Sequence, residues 1–255
     1  MCLLALAWKT HPDLALILAG NRDERHARAT AAAGFWSDAP QVLAGRDLEA
    51  GGTWLGTTTA GRVAVVTNYR EGPNPAKAPR SRGALTAEFL TGDASPQAYL
   101  ETLRPHAREY GAFSLICGDR DSLWYFSNRG GDPAPVPPGI HALSNHLLDT
   151  PWPKVQAAKA GLKLLLDSGA LTSEALFRLL GDRSPAQGAL PDTGVGPDLE
   201  RRASAAFVQD PIYGTRCSTL LWCDGRGGSR FAERRFDAGG EALETRTFQI
   251  SVPAP

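Results

Sequence analysis

Short apolar runs separated by polar turns open the chain. Residues 3–8 and 14–20 are two such runs around one turn, and residues 53–58 and 62–68 form a second pair. Apolar runs of this length on either side of a short turn are typical of β-hairpins. We therefore predict two antiparallel hairpins, the first of which places Cys2 on a sheet.

Several stretches have the periodicity and the start signals of helices. Ser95 followed by Pro96 pairs a capping residue with a proline in the first turn, which is typical of a helix start. Residues 153–167 carry apolar side chains three to four positions apart, and this spacing predicts an amphipathic helix. Thr172 caps a further helix, and a short helix is expected over residues 85–90.

The remaining apolar runs predict more strands and one long loop. Residues 181–210 are rich in Pro, Gly, Ser and Asp and lack periodicity, so we predict a long loop. A loop of this length usually has a function, and we expect it to border the ligand pocket as a lid. The predicted strands cover residues 113–118, 123–127, 141–145, 217–223, 229–235 and 244–252.

Strands that arrive in antiparallel groups, interrupted by pairs of helices, indicate an α+β protein rather than a doubly wound one. Two sheets with helices on their outer faces fit this order of elements. No internal repeat or linker interrupts the sequence, so we predict one domain over residues 1–255. The hairpin that carries Cys2 should place this residue at a sheet edge.

The composition is that of an ordinary soluble protein and excludes several classes of partner. The 27 Lys and Arg residues equal the 27 Asp and Glu residues, so no overall positive field favours nucleic acid. No stretch reaches the roughly 18 apolar residues of a membrane span, and the first residues lack a signal peptide's pattern. We expect a cytoplasmic protein without stable membrane insertion, and no metal site, because the cysteines and histidines lack ligand spacing.

Cys2 is a candidate nucleophile because of its position. Methionine aminopeptidase removes Met1 when the second residue is small, and the processed chain would then begin with a thiol and a free α-amine on one residue. An α-amine with a pKa of about 7.7–8.0 can act as base for the adjacent nucleophile. The alternative is a small apolar residue that begins a buried strand.

A set of short motifs makes the chain similar to the NRDE family, also called the transport and Golgi organisation family. The resemblance extends from residue 2 to about residue 250, and the ordered set is more specific than any single motif. The motifs are Met1-Cys2, Ala19-Gly20-Asn21-Arg22-Asp23-Glu24, Gly51-Gly52-Thr53-Trp54-Leu55-Gly56, Thr67-Asn68-Tyr69, Leu143-Ser144-Asn145 and Tyr213-Gly214-Thr215-Arg216.

This resemblance implies the fold of N-terminal-nucleophile hydrolases, a four-layer αββα sandwich of two mainly antiparallel sheets. At single positions the chain also resembles choloylglycine hydrolases and penicillin V acylases, which implies a catalytic set of Cys2, Asp23, Asn68, Asn145 and Arg216. Asp23 would accept hydrogen bonds from the α-ammonium, the two asparagines would donate to an oxyanion, and Arg216 would favour the thiolate. The alternatives are a turn cap, strand-end turns and a surface ion pair.

One position departs from the acylase pattern. Those enzymes carry arginine where this chain has Gly20, and Arg22, two residues further on, would lie on the same strand face and could supply the guanidinium. We expect Asn21, Arg22, Trp54 and Tyr69 to bind substrate. For the aromatic residues, the alternative is simple packing in the core.

The resemblance implies an amidohydrolase or acyltransferase that acts on a small amide or acyl substrate through a thioester on Cys2 and requires no cofactor. The competing hypothesis is a binding or trafficking protein, because the NRDE family is associated with haem mobilisation and with lipid or acyl-CoA balance. Haem or lipid would then be cargo in the same pocket.

Overall fold

A computed structural model describes residues 2–72 and 78–251, and these residues form thirteen strands. Met1 and Val252, which the predictions include, lie outside the described residues. In chain order the strands are β1 (Cys2–Trp8), β2 (Leu14–Arg25), β3 (Thr30–Phe35), β4 (Val42–Asp47), β5 (Leu55–Thr58), β6 (Val63–Asn68), β7 (Phe113–Gly118), β8 (Leu123–Ser127), β9 (Ala134–Pro135), β10 (Gly139–Leu143), β11 (Tyr213–Asp224), β12 (Ser229–Phe236) and β13 (Ala242–Ile250).

The strands form two sheets in which the neighbouring strands are antiparallel. One sheet has six strands in the order β10-β1-β2-β11-β12-β13, and the other has seven, β3 to β9 in sequence order. Five α-helices and a 3-10 helix accompany them. They are α1 (Arg82–Thr91), α2 (Pro96–Leu103), the 3-10 helix (Arg104–Glu109), α3 (Pro153–Asp167), α4 (Ser173–Leu180) and α5 (Pro197–Arg202).

Three buried apolar clusters separate four layers. The central cluster lies between the sheets, where Leu6 of β1 and Leu43 of β4 are both fully buried. A second cluster joins the seven-stranded sheet to α1 and α2 through Phe89 and Leu100, and a third joins the six-stranded sheet to α3 and α4 through Leu162. The architecture is therefore an αββα sandwich, and the predicted α+β fold class is confirmed.

Most of the predicted elements occur close to their predicted bounds. The helix Pro153–Asp167 and the strands Phe113–Gly118 and Leu123–Ser127 coincide with the prediction, and Ser95 accepts a hydrogen bond from an amide of α2 as its cap. Their patterns are clear because each buries one apolar face on a single neighbouring layer.

Five of the described elements were not predicted: β3, β4, the short β9, the 3-10 helix and α5. The β3 strand has the sequence TAAAGF and β4 has VLAGRD, so small residues replace the alternation of large apolar and polar side chains that marks a strand. The α5 helix lies inside the segment 181–210, which is therefore not a continuous loop. Its six residues are too few to show a helical period.

The β2 strand is longer than predicted. Residues Asn21 to Glu24 lie within the strand and do not follow it, because β11 pairs with β2 as far as Arg25. The expected position of Cys2 needs a similar correction: β1 is an inner strand, flanked by β10 and β2, and Cys2 lies at its beginning.

None of the helices formed by the described residues has the length and apolar character needed to cross a membrane.

Gly52 marks the close approach of the second hairpin to the start of α1. A Cβ atom at this position would lie 2.3 Å from the backbone carbon and oxygen of Gly83. We predict that Gly52→Ala lowers the unfolding free energy by about 1–3 kcal/mol, because the backbones must separate to admit the methyl group. Urea denaturation measures the change. Gly34→Ala is the control, since its Cβ would have nothing within 4 Å, and equal losses in both variants would contradict the prediction.

Candidate active site

Cys2 begins β1 opposite Arg22 of β2 and is half-buried. Burial raises the pKa of its thiol, and the negative charge of Asp23 raises it further. The Asp23 backbone N–H and the Arg22 guanidinium oppose this rise. The thiol is therefore less acidic than the sequence led us to expect.

Asp23 lies next to Arg22 on β2 and is 3% exposed. Its Oδ1 accepts a hydrogen bond of 2.7 Å from the hydroxyl of Thr215, which faces it on β11. Burial raises the pKa of the carboxyl, whereas the charges of Lys154 and Arg22 and the Thr215 hydrogen bond lower it. The side chain is thus fixed beside the beginning of β1, where an acceptor for the α-amine was predicted.

Arg22 occupies the face of β2 that points to the other sheet. Its guanidinium lies 4.3 Å from the centre of the Trp54 ring and donates to the Thr30 hydroxyl. Trp54 and Gly20 border a small space of about 10 Å³ beside Cys2, so Arg22 and Gly20 share a face as predicted. The expected substrate contacts of Arg22 and Trp54 are not supported by this position, because both side chains pack between the sheets.

Gly20 has little room for a side chain. A Cβ atom there would lie 3.2 Å from the Leu3 carbonyl oxygen and 3.2 Å from a methyl group of Leu4. An arginine at this position would therefore require these neighbours on β1 to shift by a few tenths of an ångström. The charge of Arg22, which lowers the pKa of Cys2, supplies a cation from two residues further along the strand.

The two predicted asparagines meet at the ends of their strands. Asn145 follows β10 with a positive φ of 53° and donates from Nδ2 to the carbonyl oxygen of Asn68, at 3.1 Å. Ser144 donates from Oγ to the Cys2 carbonyl oxygen at 2.8 Å. These two hydrogen bonds bring the ends of β1, β6 and β10 together.

Arg216 does not take the predicted position. It lies at a bulge of β11, between Thr215 and Cys217, and its guanidinium donates to the backbone carbonyls of Arg25 and Arg28. Arg22, and not Arg216, is the arginine whose charge lowers the pKa of Cys2. The bulge turns Arg216 out of the strand ladder, which the sequence does not reveal.

Asn21 also differs from its predicted role in substrate binding. It is 4% exposed and faces the helical layer, where Nδ2 donates to the carbonyls of Leu180 and Ala206. Its Oδ1 accepts a hydrogen bond of 2.6 Å from Ser218. Because these partners occupy its polar atoms, Asn21 joins the sheet to the end of α4, at Leu180, and to the chain at Ala206.

A cavity of about 460 Å³ opens beside Asn68 and Asn145. Tyr69, for which substrate binding is a prediction, lines it, and so do residues of the segment 181–210, as predicted for a border of the pocket. The described residues that line the cavity do not include Cys2. They do include Arg82, on whose pKa the charge of Cys2 has an upward effect. The other walls mix apolar side chains with arginines: Val195, Leu199, Val208, Ile212, Arg70, Arg82 and Arg202.

Two groups of buried charges were missing from the sequence prediction. Arg70 and Glu200 form an ion pair at 2.5 Å with side chains only 8% and 3% exposed, and Glu200 also accepts hydrogen bonds from Thr193. Lys154 of α3 is 5% exposed. A signal for Lys154 exists: it lies four residues before Ala158 on the apolar stripe of the helix, where a lysine is unexpected.

The described residues contain no group of three or more His, Cys, Asp or Glu side chains that could hold a metal ion.

Comparison with known proteins identifies the family. Residues 1–238 match the family "Transport and Golgi organisation 2". The chain belongs to this family. It is 38% identical over 259 residues to the Transport and Golgi organization protein 2 homolog of Bos taurus, with 92% of each chain covered. It is 36% identical to the Homo sapiens homolog, with 99% of each chain covered.

Solved structures confirm the expected fold for this member of the Transport and Golgi organisation 2 family. The N-acylethanolamine-hydrolyzing acid amidase ortholog of Caenorhabditis elegans superimposes with a TM-score of 0.51 at 11% identity. The match covers 86% of this chain and 92% of that one. The fold is therefore that of the N-terminal-nucleophile hydrolases.

We predict that iodoacetamide alkylates Cys2 before the other three cysteines. Burial raises the pKa of Cys117 and Cys217 well above the ordinary value and that of Cys223 to about 12. The pKa of Cys2 is raised as well, but this residue is only half-buried, whereas Cys117 and Cys217 are buried. Peptide mass spectrometry of a labelling time course gives the order. Labelling of Cys117 as fast as Cys2 in folded protein would contradict the prediction.

We also predict that Glu200→Gln destabilises the protein by about 3–5 kcal/mol, because Arg70 would remain buried without its counter-charge. Urea denaturation gives the free energy of unfolding, and limited proteolysis shows whether the segment 181–210 is released. Glu174→Gln is the control, since Glu174 forms an exposed pair with Arg234 and such pairs contribute about 0–1 kcal/mol. If Glu200→Gln loses no more unfolding free energy than Glu174→Gln, Glu200 does not anchor the segment 181–210 through Arg70 and the prediction is wrong.

Proposed function

We propose that this protein is an N-terminal cysteine amidohydrolase or acyltransferase acting on a small amide or acyl substrate. The observation that carries the proposal is the convergence of Cys2, Asp23, Asn68 and Asn145 at one end of the sandwich, next to the cavity. Catalytic groups of this kind need fixed positions beside a space that can hold a substrate.

The chemistry follows from these groups once Met1 is removed. The α-amine of Cys2 takes the thiol proton, and the thiolate attacks the carbonyl carbon of the substrate. Asparagine amides donate to the resulting oxyanion. The α-ammonium gives its proton to the leaving amine, the C–N bond breaks, and a thioester on Cys2 remains. Water cleaves it to an acid, or a second amine takes the acyl group; either step restores the thiol.

The position of Asp23 supports the role of the amine as base. Its carboxyl is held by Thr215 beside the beginning of β1, and an acceptor there can orient the α-amine toward the thiol of the same residue. The residues that line the cavity support an acyl substrate. Its apolar residues suit a hydrocarbon chain, and its arginines suit a polar or anionic end.

A second candidate function is binding or transport of haem, lipid or acyl-CoA without catalysis. One observation favours it: the described residues that line the large cavity do not include Cys2. Burial of the thiol, which raises its pKa, points in the same direction. In this alternative the cavity holds cargo and Cys2 only begins a strand.

Acyl-enzyme formation distinguishes the two. Intact-mass measurement first selects protein that lacks Met1, which is then incubated with a short-chain and a long-chain acyl p-nitroanilide. We expect an acyl adduct on the Cys2 peptide that hydroxylamine removes. Asn145→Ala should slow acylation by about 10²–10³-fold through loss of an oxyanion donor.

Two variants complete the experiment. Cys2→Ala should abolish the adduct, whereas Cys223→Ala, which changes another half-buried cysteine, should form it normally. Absence of an adduct, together with haemin or fluorescent fatty acid binding that Cys2→Ala leaves unchanged, would refute the enzymatic function and favour the carrier.

A further inference from the structure

Lys154 is a buried cation that the proposed chemistry does not yet use. It is the second residue of α3 and 5% exposed, and its Nζ has no hydrogen-bond partner within the described ranges. Lysine is almost never fully buried unless it is paired, because removal of an ammonium from water is costly. A side chain kept in this state calls for a specific counter-charge.

Charged groups from four parts of the chain act on Lys154. Asp23 of β2 and Cys2 of β1 lie on the sheet below it, Arg70 follows β6, and Glu200 belongs to α5. Of these, Asp23 has the strongest effect.

The segment that follows α4 contributes one more carboxyl group near Lys154. Asp182, which follows α4, shares with Lys154 the lining of a cavity of about 240 Å³. It is exposed, so water screens its charge more than that of a buried group.

The other buried carboxylate, Glu200, already has its partners. It pairs with Arg70 at 2.5 Å and accepts hydrogen bonds from the amide and the hydroxyl of Thr193. Arg70 and Glu200 therefore balance each other. Among the charged groups around Lys154, Asp23 is the one that raises its pKa most.

The electrostatic effect is mutual. Burial lowers the pKa of Lys154 to about 8, and Asp23 opposes the fall. Burial raises the pKa of Asp23, and Lys154 opposes the rise. Each charge thus supports the other inside the protein.

We propose that Lys154 is a positioning residue of the Cys2 site, whose buried ammonium keeps Asp23 ionised and favours the thiolate of Cys2. The inference rests on the proposed function, because it concerns the same nucleophile. It assigns to Lys154, on the helical side of the sheet, a part of the electrostatic role that the sequence had suggested for Arg216. Arg22 supplies a second cation on the opposite face.

The proposal predicts the sign of a shift. Removal of a positive charge raises the pKa of every acid near it, so both the Asp23 carboxyl and the Cys2 thiol should hold their protons to higher pH. In Lys154→Met we expect roughly tenfold slower alkylation of Cys2 at pH 7, because the thiolate fraction falls about tenfold when the nearby cation is lost. Since the pKa of Lys154 is about 8, the wild-type ammonium loses its charge toward pH 10, and the two rates should converge there.

The experiment measures initial rates of iodoacetamide labelling of Cys2 from pH 6 to 10, with the full chain. Lys154→Arg keeps a positive charge and should retain the wild-type labelling rate at pH 7. Lys163→Met is the matched control, because Lys163 lies exposed on the same helix. A lysine with only a structural role would lower the melting temperature without moving the profile.

Folding is checked through Cys117 and Cys217, which are buried and must stay unreactive. If Lys154→Met fails this check, Lys154→Gln replaces it as the neutral variant with a polar end. The proposal is overturned if a folded neutral variant labels Cys2 at the wild-type rate at pH 7. It is also overturned if Lys154→Arg slows the labelling as much as the neutral variant does.

Thioester formation is measured separately on the same proteins. A thioester on Cys2 with unchanged labelling profiles would overturn the role of Lys154 and leave the amidohydrolase intact. Slower labelling of Cys2 in the neutral variant without any thioester would support the role of Lys154 and overturn the amidohydrolase.

Discussion

The register between β1, β2 and β11 is the constraint on which the site depends. It sets Cys2 opposite Arg22 and Thr215 opposite Asp23. Because successive side chains of a strand point to opposite faces, neighbouring residues of β2 serve different layers. Arg22 contacts Trp54 between the sheets, whereas Asp23 faces the region of Lys154. A shift of one residue would exchange these faces and take Arg22 and Asp23 from their places.

Buried charge is the second feature of the site, and it opposes stability. Asp23, Lys154, Arg70 and Glu200 are all largely withdrawn from water, and apolar replacements of such groups are often neutral or stabilising. Proteins depart from the rules of stable packing chiefly at functional sites. These four buried residues lie beside Cys2 and the large cavity. The stability lost by burying their charges is therefore lost where the proposed chemistry needs fixed charges and little water.

The segment 181–210 connects the cavity to this group of charges. Its residues line the cavity, and its α5 helix holds Glu200 against Arg70. Arg70 of this ion pair also donates its backbone amide to the carbonyl oxygen of Asn145, so direct contacts join the cavity wall, the ion pair and the asparagine. Catalysis and cargo binding would use this same connection, which is why the thioester, and not the cavity, separates the two functions.

The sequence by itself determined the α+β class, the family and most helices and strands, because apolar periodicity and ordered motifs are local properties. It also indicated the convergence of Cys2, Asp23, Asn68 and Asn145, but only through resemblance. Tertiary structure alone decided the direction of individual side chains. The bulge in β11 turned Arg216 away, and three polar partners engaged Asn21. Lys154 was buried where its own helix, α3, packs on β1, a strand more than 100 residues away in sequence. The physical reason is that orientation and burial depend on partners brought from distant parts of the chain, whereas secondary structure depends largely on near neighbours.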